Sequence, residues 1–387
     1  MKFSLRRRVE NDFLAACDGI TTGRFRLRTP EGHVHDFGSG GTESEMVLHD
    51  WSVVTALMAR GDVGLGETYV AGLWDTPSIE ALIEVGLVNQ DRMERYAFPG
   101  SWNGMKFRAI DRVMRANSPR GASRNIRAHY DVGNEFYLEW LDESMTYSAA
   151  LFDADGDGDL HRAQMRKYDR ILDRVGGRER VLEIGCGWGG FAERAADRGH
   201  VVTGVTISPS QKGYADARLD GRADIRLQDY RATSGRYDAI VSIEMIEAVG
   251  ERYWPVYFAA LKQRLAGHGR AVLQAITVPD DYFPDYRKTT DYIRHSTFPG
   301  GMLLCDSAIA KGAAQAGLKV ESSFAFGADY ARTCRMWAAS LAGRRDRLAR
   351  LGYGGATMRH WQYYLEACAA CFAVGRTDVV QVDLSHA

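Results

Sequence analysis

The sequence predicts a doubly wound α/β fold, a Rossmann-like and mostly parallel sheet with a cap, preceded by a smaller N-terminal α+β domain. Three observations carry that prediction. In VLEIGCGWGGFA (Val181 to Ala192), a short apolar strand holding Glu183 meets a turn with glycines at 185, 187, 189 and 190, and a helix follows. About twenty residues on comes a second strand, HVVTGVTI (His200 to Ile207), the spacing that one βα unit requires. Up to Val278, strand-like runs keep alternating with helical ones, as a parallel sheet demands.

Each element has its reason. The glycines Gly185, Gly187 and Gly189 let the backbone pass close to a ligand. The helix after them carries Phe191, Ala192, Ala195 and Ala196 on its apolar side and presents free N–H groups at its start. A dinucleotide site would end the second strand in Asp or Glu, so NAD is disfavoured. Thr206, Ser208 and Gln211 stand there instead, and uncharged groups still bond a ribose diol, Gln211 through both amide faces. Gln228, Asp229 and Tyr230 follow the apolar pair Ile225 and Leu227 and form a polar cluster suited to an adenine ring. A further strand, YDAIVSI (Tyr237 to Ile243), ends in the acidic pair Glu244 and Glu247. Pro279 to Gly301, dense in prolines, aspartates and aromatics, reads as a cap over the sheet's ligand edge. Leu318 to Phe326 and Thr377 to Leu384 read as late strands, an antiparallel edge pair.

The N-terminal part mixes strand-like runs (Arg24 to Arg28, His33 to Phe37) with helix-like ones (Ser52 to Arg60, Ser78 to Val88). The turn formers Asn117-Ser118-Pro119-Arg120-Gly121 mark a linker, dividing the chain into residues 1–117 and 118–387. A formal net charge of −1 argues against a nucleic-acid binder. No apolar run approaches the ~20 residues that span a bilayer. Six scattered cysteines form no disulfide framework, which suits a reducing cytoplasm. Two short motifs are set aside. DADGDG (Asp153 to Gly158) starts like a calcium loop, but Gln164 stands where the bidentate Glu belongs. Cys368 and Cys371 form a CxxC in a helical context with no second pair, so no metal is expected.

The motifs in between resemble the cyclopropane fatty acid synthases, S-adenosylmethionine (SAM)-dependent methyltransferases that act on double bonds of lipid acyl chains. The resemblance runs through GETYVAGLWDT (Gly66 to Thr76), NIRAHYDVGNEFY (Asn125 to Tyr137), MTYSAALF (Met145 to Phe152), VLEIGCGWGG and VTISPSQ (Val205 to Gln211). It continues in LQDYR (Leu227 to Arg231), IVSIEMIEAVG (Ile240 to Gly250), FPGGML (Phe298 to Leu303), FGADYARTCRMW (Phe326 to Trp337) and VVQVDL (Val379 to Leu384). It implies a class I methyltransferase sheet, SAM as methyl donor, and an unsaturated acyl phospholipid as substrate. The enzyme would meet the membrane peripherally, from the cytoplasmic side, and whether it forms a homodimer stays open. Tyr147 and Ser148 match the family's cofactor contacts. Glu183, the three glycines, Thr206, Ser208, Gln211 and residues 228–230 complete the expected cofactor site.

The chemistry follows from the substrate. An isolated alkene is a poor nucleophile and must be held against the sulfonium methyl in a dry site. Methylation leaves a carbocation, which needs aromatic faces and carboxylates nearby and a base to take a proton. Loss from the new methyl closes a cyclopropane, and loss from the chain leaves a methyl- or methylene-branched alkene. In the family a bound bicarbonate acts as base, held by Cys, Glu, His, an Ile backbone group and Tyr. By the resemblance, the Glu is Glu247, the Ile is Ile276 and the Tyr is Tyr330. The Cys and His positions hold Ala149 and Gln274, the family's GND reads Gly133-Asn134-Glu135, and its Gly three before the catalytic Glu is Glu244. Bicarbonate is therefore not expected, and a protein carboxylate, Glu135 first and Glu247 second, is expected to take its place. The product would then be branched and not a ring. Two other classes are carried beside this one: a small-molecule methyltransferase on the same fold, and a SAM- or lipid-binding protein without chemistry.

Overall fold

In the computed structural model, residues 2–93, 96, 132–153, 158–177 and 179–387 are described, with only the backbone for residues 2–8. The linker at 117–121, the Asn125 to Asp131 part of NIRAHYDVGNEFY and most of the DADGDG loop lie outside the described residues. The chain divides into two compact units, one of Met1–Val113, Asp285–Thr297 and Trp337–Arg376, the other of Met114–Pro284, Phe298–Met336 and Thr377–Ala387.

The second unit is built on a seven-stranded sheet. Its strands are β5 (Arg180–Ile184), β6 (Val201–Thr206), β7 (Asp224–Leu227), β8 (Tyr237–Ile243), β9 (Leu265–Thr277), β10 (Leu318–Ala325) and β11 (Asp378–His386). They lie in the order β10-β11-β9-β8-β5-β6-β7. The neighbours from β9 to β7 are all parallel, while β11 runs antiparallel to both β9 and β10. The chain starts in the sheet at β5 and turns both ways, to β6 and to β8, so the topological switch point falls beside the glycine turn. Val181, Leu182 and Ile184 of β5 are buried, as are Phe191, Ala192 and Ala195 on the helix after the turn. That is the pattern of a sheet covered on both faces.

The helix Leu160–Val175 packs a stripe that recurs at helical spacing: Ala163, Gln164, Lys167, Tyr168, Ile171, Leu172 and Val175. Asp159 caps its start by accepting the Arg162 N–H at 3.1 Å, and Gly176 ends it at φ 63°. Two members of the stripe, Gln164 and Lys167, are polar and fully buried. Such residues stay on an apolar face only when something there satisfies them.

The first unit carries a four-stranded sheet in the order β2-β1-β3-β4, from β1 (Gly23–Arg28), β2 (Val34–Ser39), β3 (Glu43–Leu48) and β4 (Trp74–Asp75). The runs read at 24–28 and 33–37 are β1 and β2, and helices form at Ser52–Arg60 and Ile79–Val88. β3, with its alternating burial, was not anticipated. The first unit also takes in segments beyond residue 117, Asp285–Thr297 and Trp337–Arg376. Tyr292, Tyr363 and Ala367 belong to the first unit's core with Trp74, Val85 and Leu27, because the helix Gly355–Ala373 packs its buried face there. The expected cap at 279–301 is split in the same way, residues 285–297 belonging to the first unit.

Candidate active site

The glycine turn, the start of the helix Pro209–Leu219 and the Glu244–Glu247 segment all follow the carboxyl ends of parallel strands, the edge where such sheets bind ligands. Gly185, Gly187 and Gly189 have φ of 81°, 52° and 86°. A Cβ at Gly187 would meet nothing within 4 Å, so open space lies beside the turn. Glu183 is buried in β5, its Oε2 has no partner among the described residues, and burial pushes its carboxyl up to about 8. A buried acceptor without a donor beside an open glycine turn fits the ammonium end of SAM.

On the second strand, Ser208 caps the following helix by accepting the Gln211 N–H at 3.3 Å. The Thr206 hydroxyl donates to Gln211 Oε1 at 2.8 Å, which takes one of that oxygen's two lone pairs. The 228–230 cluster is also more committed than expected. Gln228 Nε2 donates to Ala232 O at 2.6 Å, and Asp229 holds Arg231 with both carboxylate oxygens. Tyr230 is buried with its ring edge-on to Tyr257, so it packs the core. Tyr147 stands in an aromatic cluster, its ring 5.6 Å from Tyr137 and 5.7 Å from Trp140. Trp188 closes that cluster at 5.0 Å from Tyr137 and donates Nε1–H to Asn134 Oδ1 at 2.8 Å.

Ser148 begins a pinned strap. Lys167 Nζ donates to its Oγ at 2.7 Å and Gln164 Nε2 to its carbonyl at 2.9 Å. Beyond it, the Ala150 N–H is taken by Thr333 Oγ1 at 3.1 Å and the Phe152 N–H by Asp329 Oδ2 at 3.0 Å. Burial drives the Lys167 ammonium down to about 7, against the pull of Glu244, Asp142 and Glu183. No sequence motif pointed to Lys167, although a lysine on an otherwise apolar helical stripe was a readable signal.

The middle of the strap meets Glu244. Its Oε1 accepts the Ala149 N–H at 2.9 Å and Gln274 Nε2–H at 2.7 Å, and its Oε2 accepts the Tyr330 hydroxyl at 2.6 Å. These are the three positions where the resemblance puts Cys, His and Tyr around a bound anion. Glu244 also stands at φ 48°, a left-handed backbone that non-glycine residues rarely adopt. Burial raises its carboxyl, while Tyr330, the Ala149 N–H, Lys167 and Gln274 pull it back. Glu247 accepts the Ile276 N–H on Oε1 and leaves Oε2 buried without a partner among the described residues. Burial first, then the Glu244 charge, pushes Glu247 up to about 8.

Glu135 lies elsewhere. On the short helix Asn134–Leu138 its neighbours Phe136 and Tyr137 are buried and Glu135 itself is exposed. Among the described residues no hydrogen bond joins Glu135 to the Glu244 cluster. No group of three or more metal-ligating side chains occurs among the described residues.

Fold and site together define an S-adenosylmethionine-dependent methyltransferase of the class I type. The sequence profile described as mycolic acid cyclopropane synthetase matches residues 117–382, and the chain belongs to that family. It is 36% identical over 386 residues to the tuberculostearic acid methyltransferase UfaA1 of Mycobacterium tuberculosis (95% of this chain, 86% of that protein). It is 32% identical over 362 residues to the cyclopropane-fatty-acyl-phospholipid synthase of Escherichia coli K12 (90% and 89%). Among solved structures, the cyclopropane synthase MmaA2 of M. tuberculosis matches with a TM-score of 0.63 at 28% identity, over 68% of this chain and 97% of that one. The mycolic acid cyclopropane synthase CmaA1, solved with SAH and CTAB, matches with the same TM-score and coverage at 27% identity.

Proposed function

We propose that this enzyme C-methylates the double bond of an unsaturated fatty acyl chain in phospholipid and releases a methyl- or methylene-branched chain, with Glu244 as the base. The observation that carries the proposal is the set of three donors gathered on the Glu244 carboxylate. In the family's pattern that set holds an exchangeable anion, and here it is already satisfied by a carboxylate of the chain. A second anion would find its donors taken and a negative charge in its place. The names of the two relatives at 36% and 32% identity, a tuberculostearic acid methyltransferase and a fatty-acyl-phospholipid synthase, support the acyl substrate.

SAM, when bound, supplies an electrophilic methyl to one alkene carbon and leaves positive charge on its neighbour. The chain's residues do the rest. Glu183 and the 185–189 turn would hold the donor's amino-acid end, with Gln211, Gln228 and Asp229 at the nucleoside end, backed by the packed Tyr230 ring. The Tyr137, Trp140, Tyr147 and Trp188 rings offer electron-rich walls against the cation. For a methyl-branched product Glu244 accepts a proton from a chain carbon next to the cation, and the C–H electron pair becomes the new double bond; for a methylene-branched one the hydrogen on the methylated carbon first shifts as hydride to the cation, and Glu244 then takes the proton from the new methyl. Glu247, neutral at pH 7, keeps Ile276 and the start of the segment after β9 in place without competing for that proton.

Membrane docking belongs to the same proposal. Lys2, Arg6, Arg7 and Arg8 give the N-terminus a basic cluster suited to anionic lipid, although their side chains lie outside the described residues. The test is chemical. Vesicles of dioleoyl phosphatidylglycerol are incubated with enzyme and methyl-labelled SAM, and the extracted lipid is analysed by mass spectrometry before and after mild hydrogenation. A branched alkene takes up hydrogen and an intact ring does not, so a cyclopropane as main product overturns the proposal.

A further inference from the structure

Glu244 is the end of a longer chain of side chains. Gln274 and Gln381 are directly opposed residues of β9 and β11, and both are buried. Gln381 Nε2 donates to Gln274 Oε1 at 2.9 Å, and Gln274 Nε2 donates to Glu244 Oε1 at 2.7 Å. At the far end Arg170, half-buried on the helix Leu160–Val175, donates Nη1–H to Gln381 Oε1 at 2.7 Å. The Arg170 guanidinium lies 4.0 Å from the centre of the Phe324 ring, and Phe324 is the residue of β10 opposite Gln381. Four elements thus converge on one line of hydrogen bonds.

The ends of that line fix its direction. A buried glutamine pair alone could bond either way round, since amide oxygen and nitrogen are exchangeable by a flip. Here one end, the guanidinium, can only donate, and the other, a carboxylate, can only accept. Both amides therefore have a single orientation that satisfies the chain, and it leaves the Gln274 NH₂ on Glu244. An amide in this place also cannot take up a proton, unlike the histidine of the family's pattern, so the proton delivered to Glu244 does not pass down the chain.

We infer that Arg170 and Gln381 are positioning residues for the proton-transfer step: through Gln274 they hold Glu244 as an oriented, ionised acceptor. The inference rests on the reading of Glu244 as the base. Other charged groups act at the same ends of the line. Glu244 also faces Tyr330, Lys167 and Glu247, and Arg170 lies near Asp383 and Arg174. Gln381 is joined to Arg170 and to Gln274, so the amide line carries a change made there to Glu244.

The test uses the full-length enzyme with dioleoyl phosphatidylglycerol vesicles and labelled SAM. Gln381→Leu removes both links, and Arg170→Leu removes the donor that orients them. Both should lower kcat about tenfold, the size of one charge-assisted hydrogen bond lost at the transition state. KM for vesicles and calorimetric SAM affinity should stay unchanged. The acid limb of the kcat–pH profile should move to higher pH, because a carboxylate with a turned or missing donor is a weaker acid. Arg170→Lys should restore most of the loss, and the carboxylate band that disappears in Glu244→Gln should titrate at higher pH in Gln381→Leu by difference infrared spectroscopy. Should Gln381→Leu not fold, Arg170→Leu, altered at a half-buried site, decides alone. Wild-type profiles and bands in the folded variants, with Glu244→Gln inactive, overturn the inference and leave the base in place. Full turnover in Glu244→Gln overturns the base itself.

Discussion

Glu244→Gln is the sharpest perturbation the site allows, because it removes the base and almost nothing else. The glutamine oxygen can keep the Ala149 N–H and Gln274 Nε2–H, now on Oε1 at 2.9 and 2.7 Å. Its new NH₂ faces the Tyr330 hydroxyl, which now donates to Oε2 at 2.6 Å and needs only to rotate and accept. Size, hydrogen bonds and backbone are retained, so folding and SAM binding should be unchanged. A positioned base is typically worth about 10²–10⁴-fold, or ~2.7–5.5 kcal/mol of barrier. In this variant burial still raises the Glu247 carboxyl but the Glu244 charge, the second cause, is gone, so any residual turnover through Glu247 should rise with pH about a midpoint below its wild-type value of about 8. The assay is transfer of label from SAM into vesicle lipid under single-turnover conditions, beside calorimetry with SAM. Retention of more than a third of wild-type turnover would refute the reasoning.

Four further outcomes are expected. Glu244→Gly removes the strain of φ 48°, worth about 1 kcal/mol, but leaves the Ala149, Gln274 and Tyr330 donors without an acceptor. The variant should fold, be inactive alone, and regain part of its turnover with added formate or bicarbonate, and no rescue by any small carboxylate counts against the site. Glu247 takes up a proton on folding between its ordinary range and about 8. Wild-type stability relative to Glu247→Gln should therefore be greatest at low pH and fall as the pH rises toward 8, by up to ~1.4 kcal/mol per unit, measured by urea unfolding at several pH values. Gly187→Val places a branched residue at φ 52° facing the open space beside the turn, and SAM affinity by calorimetry should drop at least tenfold, roughly 1.4 kcal/mol. Deleting residues 1–8 should weaken co-sedimentation with anionic vesicles, each lost basic residue being worth about 1 kcal/mol near such a surface, and equal binding would remove the docking role.

The sheet and its ligand edge were legible in the sequence because local pattern determines them. Strand, glycine turn and helix occur within twelve residues, and the late antiparallel pair could be read from two apolar runs. Glu247 and Ile276 could be paired from motifs, and they do share a hydrogen bond. The proposed base was only half legible. The substitutions at Ala149, Gln274 and Glu244 announced that a carboxylate should replace the anion, but not which one. Glu135, at the start of a short helix, is expected first because the family's GND reads Gly133-Asn134-Glu135, a carboxylate of longer reach near the pocket. Its direction depends on the rotation of that helix, which turns Asn134 toward Trp188, buries Phe136 and Tyr137, and leaves Glu135 outside. Glu244 reaches its partners across 95 and 86 residues of chain, through a left-handed turn that no periodicity announces. Arg170 and Gln381 were not legible for the same reason. The roles proposed for them come from strand register and from one face of a distant helix.

The left-handed backbone at Glu244 bears directly on the proposed exchange of a bound anion for a carboxylate, which the changes at Ala149 and Gln274 accompany. A glycine there, the family's usual residue, takes φ 48° freely and leaves the three donors open to a diffusible anion. Glutamate at the same place accepts the strained backbone and points its carboxylate at the donors, a local penalty of about 1–2 kcal/mol offset by three hydrogen bonds to a charge. A tethered base differs from a diffusible one in more than affinity. Its oxygens are fixed by Ala149, Gln274 and Tyr330, so only protons on one side of the cation come within reach. A freely seated anion can settle wherever the acyl chain leaves room. If the fixed oxygens face the chain and not the incoming methyl, ring closure is excluded by position alone. Glu244→Gly with bicarbonate should then do more than recover turnover. It should shift part of the product from branched alkene to cyclopropane, and an unchanged product in the rescued variant would place the choice of proton in the acyl channel and not in the base.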